Sequence, residues 1–209
     1  DTWNMTDKNG ATWRSADELL AQALRYRTYW KNGGGITVSG GEPLLQIDFL
    51  LDLFKKAKAK GIHTTIDTAG GPFTREEPFF SKFQELMQYT DLLLVDIKHI
   101  DEKSHKELTG KTNKNILDMI RFLSDIKKPV WIRHVLVPER NDYDEYLNRL
   151  NDFIQTLDNV ERVEILPYHT LGAYKWKELG IPYKLEGVEP PTEERIQNAK
   201  KILEFNKYK

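Results

Sequence analysis

The residues best suited to chemistry in this chain recur at the ends of short apolar runs or, for Arg133 and His134, within one. They are Ser39-Gly40-Gly41-Glu42-Pro43, Asp67-Thr68, Asp96-Ile97-Lys98-His99, Arg133-His134 and Tyr168-His169. Gly40 and Gly41 carry no side chain, so their backbone amides can approach a ligand closely. Glu42 beside them would attract an ammonium. Asp67 and Asp96 offer oxygen ligands to a cation. Lys98 and Arg133 can hold a carboxylate, Arg133 as a bidentate fork, and His169 can bond hydroxyls or a base. An ammonium site and a carboxylate site together suit a zwitterionic, amino-acid-like ligand.

Each group taken alone has a plainer explanation. A Gly-Gly pair after a strand is commonly a tight turn, Asp67 could cap a helix, and single lysines and histidines are commonly surface or core residues. Arg133 within an apolar strand is harder to dismiss, because burying a guanidinium without a partner is costly. Their concurrence carries the weight: five strand ends on one face, each bearing a group that binds charge.

Hydrophobic periodicity supplies the elements that position them. Ser15-Ala16-Asp17-Glu18 reads as a capping box, opening a helix that carries Leu19, Leu20, Ala23, Leu24 and Tyr26 toward a core and stops at Gly33-Gly34-Gly35. Strands are expected at Ile36–Ser39, Thr64–Asp67, Leu92–Ile97, Val130–Val137 and Val163–Leu166. Helices are expected near Ile47–Lys60, Phe79–Tyr89, Asn115–Ile126, Tyr143–Leu157 and Thr192–Asn206. This alternation predicts an α/β fold with a parallel sheet. Right-handed crossovers leave an open doubly wound sheet or a barrel, and in both the ligand lies at the carboxyl ends of the strands.

The 209 residues, 39% apolar, suffice for one sizeable core, so residues 1–209 read as a single domain. Thirty-one basic residues against thirty-two acidic ones leave a formal charge of -1, which gives no electrostatic case for nucleic acid or an anionic membrane. No segment has the apolar length to cross a bilayer. With no cysteine, a disulfide-built secreted protein is excluded and a cytoplasmic location is the expectation.

Gly33-Gly34-Gly35-Ile36-Thr37-Val38-Ser39-Gly40-Gly41-Glu42-Pro43 resembles the glycine-and-glutamate motif of radical S-adenosylmethionine enzymes. Asp1-Thr2-Trp3 resembles the residues directly after the cluster-binding cysteines in glycyl-radical activating enzymes. Gly61–Thr68, Leu94–Lys98, Val130–Arg133, Leu166–Gly172 and Tyr183–Gly187 are all similar to the pyruvate formate-lyase activating branch, in order along the chain.

The resemblance implies a partial (βα)6 TIM-like barrel of the radical SAM type whose first strand, with the cysteine loop, precedes Asp1. It implies that Gly40, Gly41 and Glu42 bind the methionyl amino end of S-adenosylmethionine, that Lys98 and Arg133 lie near its carboxylate and His169 near the ribose, and that Asp96 and Ile97 also bind this cofactor. A monovalent cation is implied at Asp67, Thr68, Asp96 and the Leu94 carbonyl. The family reaction is reductive cleavage of S-adenosylmethionine to a 5′-deoxyadenosyl radical, which takes a hydrogen atom from a glycine of a glycyl radical enzyme such as pyruvate formate-lyase. A flavodoxin or ferredoxin supplies the electron.

The departure is equally clear. The family's [4Fe–4S] cluster needs thiolate ligands, and the 209 residues hold none. This chain is therefore expected to be inactive by itself. Two other readings compete. A divalent-metal hydrolase or epimerase would use Asp67, Asp96, His99, His134 and His169 as ligands. A non-catalytic partner-binding module would dock through Pro167–Tyr183, with Tyr168, Tyr174, Trp176 and Pro182 as anchors.

Overall fold

The computed structural model describes residues 12–30 and 33–208; Asp1-Thr2-Trp3 lies outside the described residues. Among the described residues, five strands form one sheet: β1 (Gly35–Val38), β2 (His63–Thr68), β3 (Leu92–Asp96), β4 (Val130–Leu136) and β5 (Val160–Pro167). Their order is β1-β2-β3-β4-β5, and every neighbouring pair is parallel. A doubly wound sheet would reverse direction at a switch point. No reversal occurs among these strands, so right-handed crossovers place successive helices along one face and the sheet follows a barrel path.

The helices are α1 (Ala16–Leu24), α2 (Ile47–Lys58), α3 (Phe79–Gln88), α4 (Glu102–Thr109), α5 (Lys114–Asp125), α6 (Asp144–Gln155), α7 (Ala173–Glu178) and α8 (Glu193–Ile202). The expected capping box opens α1: Ser15 Oγ accepts from the Glu18 amide at 3.2 Å, and the Glu18 carboxylate accepts from the Ser15 amide at 2.8 Å. That helix ends at Leu24, well before the glycine run, and Tyr26 is exposed rather than packed. The core joins Phe54 of α2, Phe83 of α3, Met119, Ile120 and Leu123 of α5 and Ile154 of α6 to Ile66, Leu93, Val95, Ile132 and Val163 of the sheet. No described helix is long and apolar enough to cross a membrane.

Strand periodicity decides which side chains reach the site. Along β4, Val130, Ile132, His134 and Leu136 are buried, while Trp131, Arg133 and Val135 alternate onto the other face. In β3, Leu93 and Val95 are buried, so Asp96 shares that opposite face. Register puts Asp96 opposite Arg133 and Arg133 opposite Glu164.

Candidate active site at the carboxyl ends of the strands

The loop after β1 turns on two glycines in left-handed conformations, Gly40 at φ 85° and Gly41 at φ 51°. Side-chain-bearing residues rarely adopt these angles. Among the described residues, no atom outside the adjoining residues lies within 4 Å of where a Cβ would stand at either, so the backbone there is open to a ligand. Glu42 follows, and its carboxylate ties this loop to the next one. Oε1 accepts from the Leu44 amide at 3.1 Å and from the Thr68 hydroxyl at 2.5 Å; Oε2 accepts from the Ala69 amide at 3.0 Å. Thr68 Oγ1 in turn accepts from the Gly70 amide at 2.8 Å. All the donors to Glu42 are neutral and no described cation pairs with it, so its negative charge stays uncompensated. One lone pair on Oε2 is left for a further donor.

Next to this cradle runs a ladder of charge. Arg133 Nη1 bonds Asp67 Oδ1 at 2.7 Å, and Lys98 Nζ bonds Asp96 Oδ2 at 2.6 Å. Arg133 Nε stands 3.8 Å from Asp96 Oδ1 and 3.9 Å from Glu164 Oε2. Burial opposes the Arg133 charge, but Asp67, Asp96 and Glu164 outweigh it and hold its pKa above the ordinary guanidinium value. The ladder is incompletely satisfied. Asp96 Oδ1 and Arg133 Nε are both buried without a hydrogen-bond partner among the described residues.

The structure thus brings Gly40, Gly41, Glu42, Asp67, Thr68, Asp96, Lys98 and Arg133 into one neighbourhood. The residues expected to receive a foreign carboxylate and a foreign cation pair with each other here. Leu94 lies opposite Asp67 in the register. Ile97 is a core residue whose amide donates to the Arg133 carbonyl at 2.9 Å and whose carbonyl accepts from His134 Nδ1 at 2.7 Å, so it braces the ladder. His169, two residues past β5, is exposed, and no hydrogen bond joins it to the others among the described residues.

The histidines do not converge as metal ligands. His99 Nδ1 accepts from the Asp101 amide at 3.0 Å while Nε2 faces the Arg140 carbonyl at 3.2 Å, and His134 is committed to Ile97. No group of three His, Asp or Glu side chains suited to a metal ion exists among the described residues. Of the aromatic tract, Tyr174 and Trp176 are exposed along with Leu171, Leu179 and Ile181, while Tyr168 is buried and its hydroxyl meets that of Tyr183 at 2.6 Å.

Two positioning residues are not evident from sequence alone. Asn141, 1% exposed, donates to the carbonyls of Lys98 and Val135 at 2.8 Å each and accepts from the Val137 amide at 2.7 Å, locking the β3 and β4 ends together. Its one signal is the turn Pro138-Glu139-Arg140-Asn141-Asp142 straight after a strand. Glu164 completes the environment of Arg133, which only the β4–β5 register reveals.

A [4Fe–4S] cluster does not fit the residues present, since none of the 209 can supply a thiolate. Of the positions expected to hold a monovalent cation, Asp96 has a buried oxygen, Oδ1, without a hydrogen-bond partner among the described residues, and Asp67 stands close by across Arg133.

Residues 2–153 match the family model described as Radical SAM superfamily. The chain is 54% identical over 208 residues to the pyruvate formate-lyase-activating enzyme of Streptococcus mutans, covering 100% of this chain and 79% of that protein. It is 52% identical over 210 residues to the enzyme of the same name from Listeria monocytogenes, covering 100% of this chain and 84% of that one. Among solved structures, a domain of pyruvate-formate lyase-activating enzyme from Bacteroides vulgatus superposes with a TM-score of 0.67 at 29% identity, over 85% of this chain and 97% of that one. A radical SAM methyltransferase from Sphaerobacter thermophilus, at 18% identity and a TM-score of 0.64 over 90% of this chain and 53% of its own, shares the fold. The chain belongs to the radical SAM superfamily and, within it, to the family of the pyruvate formate-lyase-activating enzymes.

Proposed function

We propose that this protein activates a glycyl radical enzyme, pyruvate formate-lyase being the partner that its relatives' name indicates, in the cytoplasm, and that the strand-end site holds the methionyl end of S-adenosylmethionine. One observation carries the reading. An uncompensated carboxylate, Glu42, stands beside a ladder whose cations Lys98 and Arg133 are shared among carboxylates, with Asp96 Oδ1 and Arg133 Nε left unsatisfied. Such a surface accepts an ammonium at one end and a carboxylate at the other.

The residues then divide the work. The open backbone at Gly40 and Gly41 lets the ligand approach, and Glu42 attracts its ammonium. Arg133 and Lys98 supply the positive charge on the side of the ligand carboxylate. A monovalent cation on Asp96 Oδ1, with Asp67, Thr68 and the Leu94 carbonyl near it, would offset the crowd of carboxylates. His169 is assigned to the ribose by its place after β5. The overall reaction adds one electron to S-adenosylmethionine, giving methionine and a 5′-deoxyadenosyl radical, which removes a hydrogen atom from the partner's glycine and leaves as 5′-deoxyadenosine. The electron would come from a flavodoxin or ferredoxin. The ligands for a [4Fe–4S] cluster are not among these 209 residues, so this chain alone, after anaerobic reconstitution with iron and sulfide, is expected to form no 5′-deoxyadenosine; its formation would overturn that expectation.

The site assignment is tested by tracking arginine Nε and lysine Nζ resonances as S-adenosylmethionine is added. Saturable shifts at Arg133 and Lys98 support it. Binding that leaves both unmoved contradicts it.

A further inference from the structure

On the ladder's face of the sheet, one residue pair toward the amino ends of β4 and β5, a further cation rests on an aromatic ring. Register sets Trp131 beside Arg162 and Arg133 beside Glu164, while Val163 and Ile165 turn into the core. The Arg162 guanidinium lies 4.1 Å from the centre of the Trp131 ring, well inside the range in which an aromatic face attracts a cation. Arg162 forms no hydrogen bond with a described residue through its side chain. The one carboxylate within 4 Å of it among the described residues is Glu164, whose Oε1 stands 3.5 Å from Nη1.

Glu164 is therefore divided. Its other oxygen, Oε2, stands 3.9 Å from Arg133 Nε, and the carboxylate accepts no hydrogen bond from any described residue. Arg133 Nε is meanwhile a buried donor without an acceptor. A closing of about 1 Å would satisfy both groups at once. The charge of Arg162 opposes that closing, and the Trp131 ring holds the charge in place although Arg162 is 44% exposed. Burial opposes the Arg133 charge most, and among the carboxylates that offset it Asp67 and Asp96 act more strongly than Glu164. Glu164 is thus the carboxylate least engaged with Arg133.

We propose that Arg162, anchored on Trp131, is a positioning residue that draws Glu164 off Arg133 and so keeps the Arg133 charge available to the carboxylate of the ligand. The identity of that ligand rests on the function proposed above; the division of Glu164 rests on the geometry alone. Without Arg162, Glu164 closes on Arg133 Nε beside Asp67, and a ligand carboxylate meets a cation already neutralised. The arrangement favours ligands that bear a carboxylate and gives nothing to those that lack one.

The test combines the Arg133 Nε resonance of this chain with calorimetric binding of S-adenosylmethionine and of its decarboxylated analogue. Arg162→Met keeps a stem over Trp131 and removes the charge. It should shift the Arg133 Nε resonance in the ligand-free chain, as Nε donates to Glu164, and weaken S-adenosylmethionine about fivefold, the scale of one half-exposed ion pair. The decarboxylated analogue should lose no affinity. Arg162→Lys, which keeps the charge, should keep most of the affinity for S-adenosylmethionine. Glu164→Met added to Arg162→Met should return both the resonance and the affinity, with a smaller gain when made in the parent chain. Equal gains in the two backgrounds would mean that Arg162 and Glu164 act on the ligand independently through space, and would overturn the proposal. So would an Arg133 resonance unmoved by Arg162→Met, or an equal loss for the two ligands. Resonance changes without any S-adenosylmethionine binding would sink the proposed function and leave the hold of Arg162 on Glu164 standing; binding with an unmoved Arg133 resonance sinks the role of Arg162 alone.

Discussion

The two ends of the sheet carry the same kinds of residue and put them to opposite uses. At the amino end of β3, both Asp91 oxygens accept from Lys58 Nζ at 2.8 Å, and the Thr64 amide adds a third bond at 2.8 Å. The Thr64 hydroxyl reaches the Tyr89 carbonyl at 2.5 Å, and Lys128 Nζ reaches the Thr90 carbonyl at 2.6 Å. Burial would raise the Asp91 pKa, but Lys58 and the Thr64 amide outweigh it and hold the carboxyl below 3.8. Both Asp91 oxygens are answered from within the chain. At the carboxyl end of the same strand, Asp96 and Arg133 keep a buried oxygen and a buried nitrogen without a hydrogen-bond partner among the described residues. A polar cluster closed on itself acts as a bolt; one with orphans is built to be completed by something else.

The largest expected effect lies in the core beneath the carboxyl-end ladder. Burial pushes His134 down to about 4 from 6.5. Between those values the unfolded chain binds the proton and the folded chain does not, so stability falls as pH drops through this window, by up to about 3 kcal/mol. Urea unfolding at pH 7 and pH 5 should show the loss, and His134→Gln should reduce it, with buried His99 and His105 supplying the remainder; identical pH dependence in the two proteins would contradict the assignment. Asp91→Ala, which strands the buried Thr64 amide while Lys58 can turn to solvent, should cost about 2 kcal/mol at pH 7 and leave S-adenosylmethionine binding unchanged. The Asp91 contribution is present in full above about pH 4 and fades only below 3.8, so its acid limb lies under that of His134. Thr68→Val removes the hydroxyl that donates to Glu42 and accepts from Gly70, and thermal melts should register about 1–2 kcal/mol. Asp96→Asn should change stability by less than about 1 kcal/mol, because its one hydrogen-bond donor among the described residues is Lys98, which is 32% exposed and can turn to solvent. A cost there as large as that of Asp91→Ala would erase the distinction between the ends.

Much of this is visible in the residues. The strand–helix alternation holds because each apolar run is bounded by glycine, proline or a cap, and the strand ends carry the expected groups. The hidden part depends on register and on elements without an apolar stripe. That Arg133 spends itself on Asp67 and stands near Glu164 emerges only once β2 to β5 are aligned. The Lys58–Asp91 bolt joins residues 33 apart with no motif between them. Helix α4 escapes periodicity because His105 is its one buried residue. Its punctuation is nonetheless present: Asp101 accepts from the Ser104 amide at 3.0 Å, and Gly110 closes the helix at φ 81°. Caps read before periodicity reveal the helix.

The most direct test is calorimetric titration of this chain with S-adenosylmethionine in potassium buffer, alongside Asp67→Ala and Asp91→Ala, each first shown to be folded. Saturable binding is predicted, abolished by Asp67→Ala and kept by Asp91→Ala, since of the two polar clusters only the one at the carboxyl ends of the strands is left open to a ligand. Binding that survives Asp67→Ala unchanged, or that fails in Asp91→Ala instead, would contradict it.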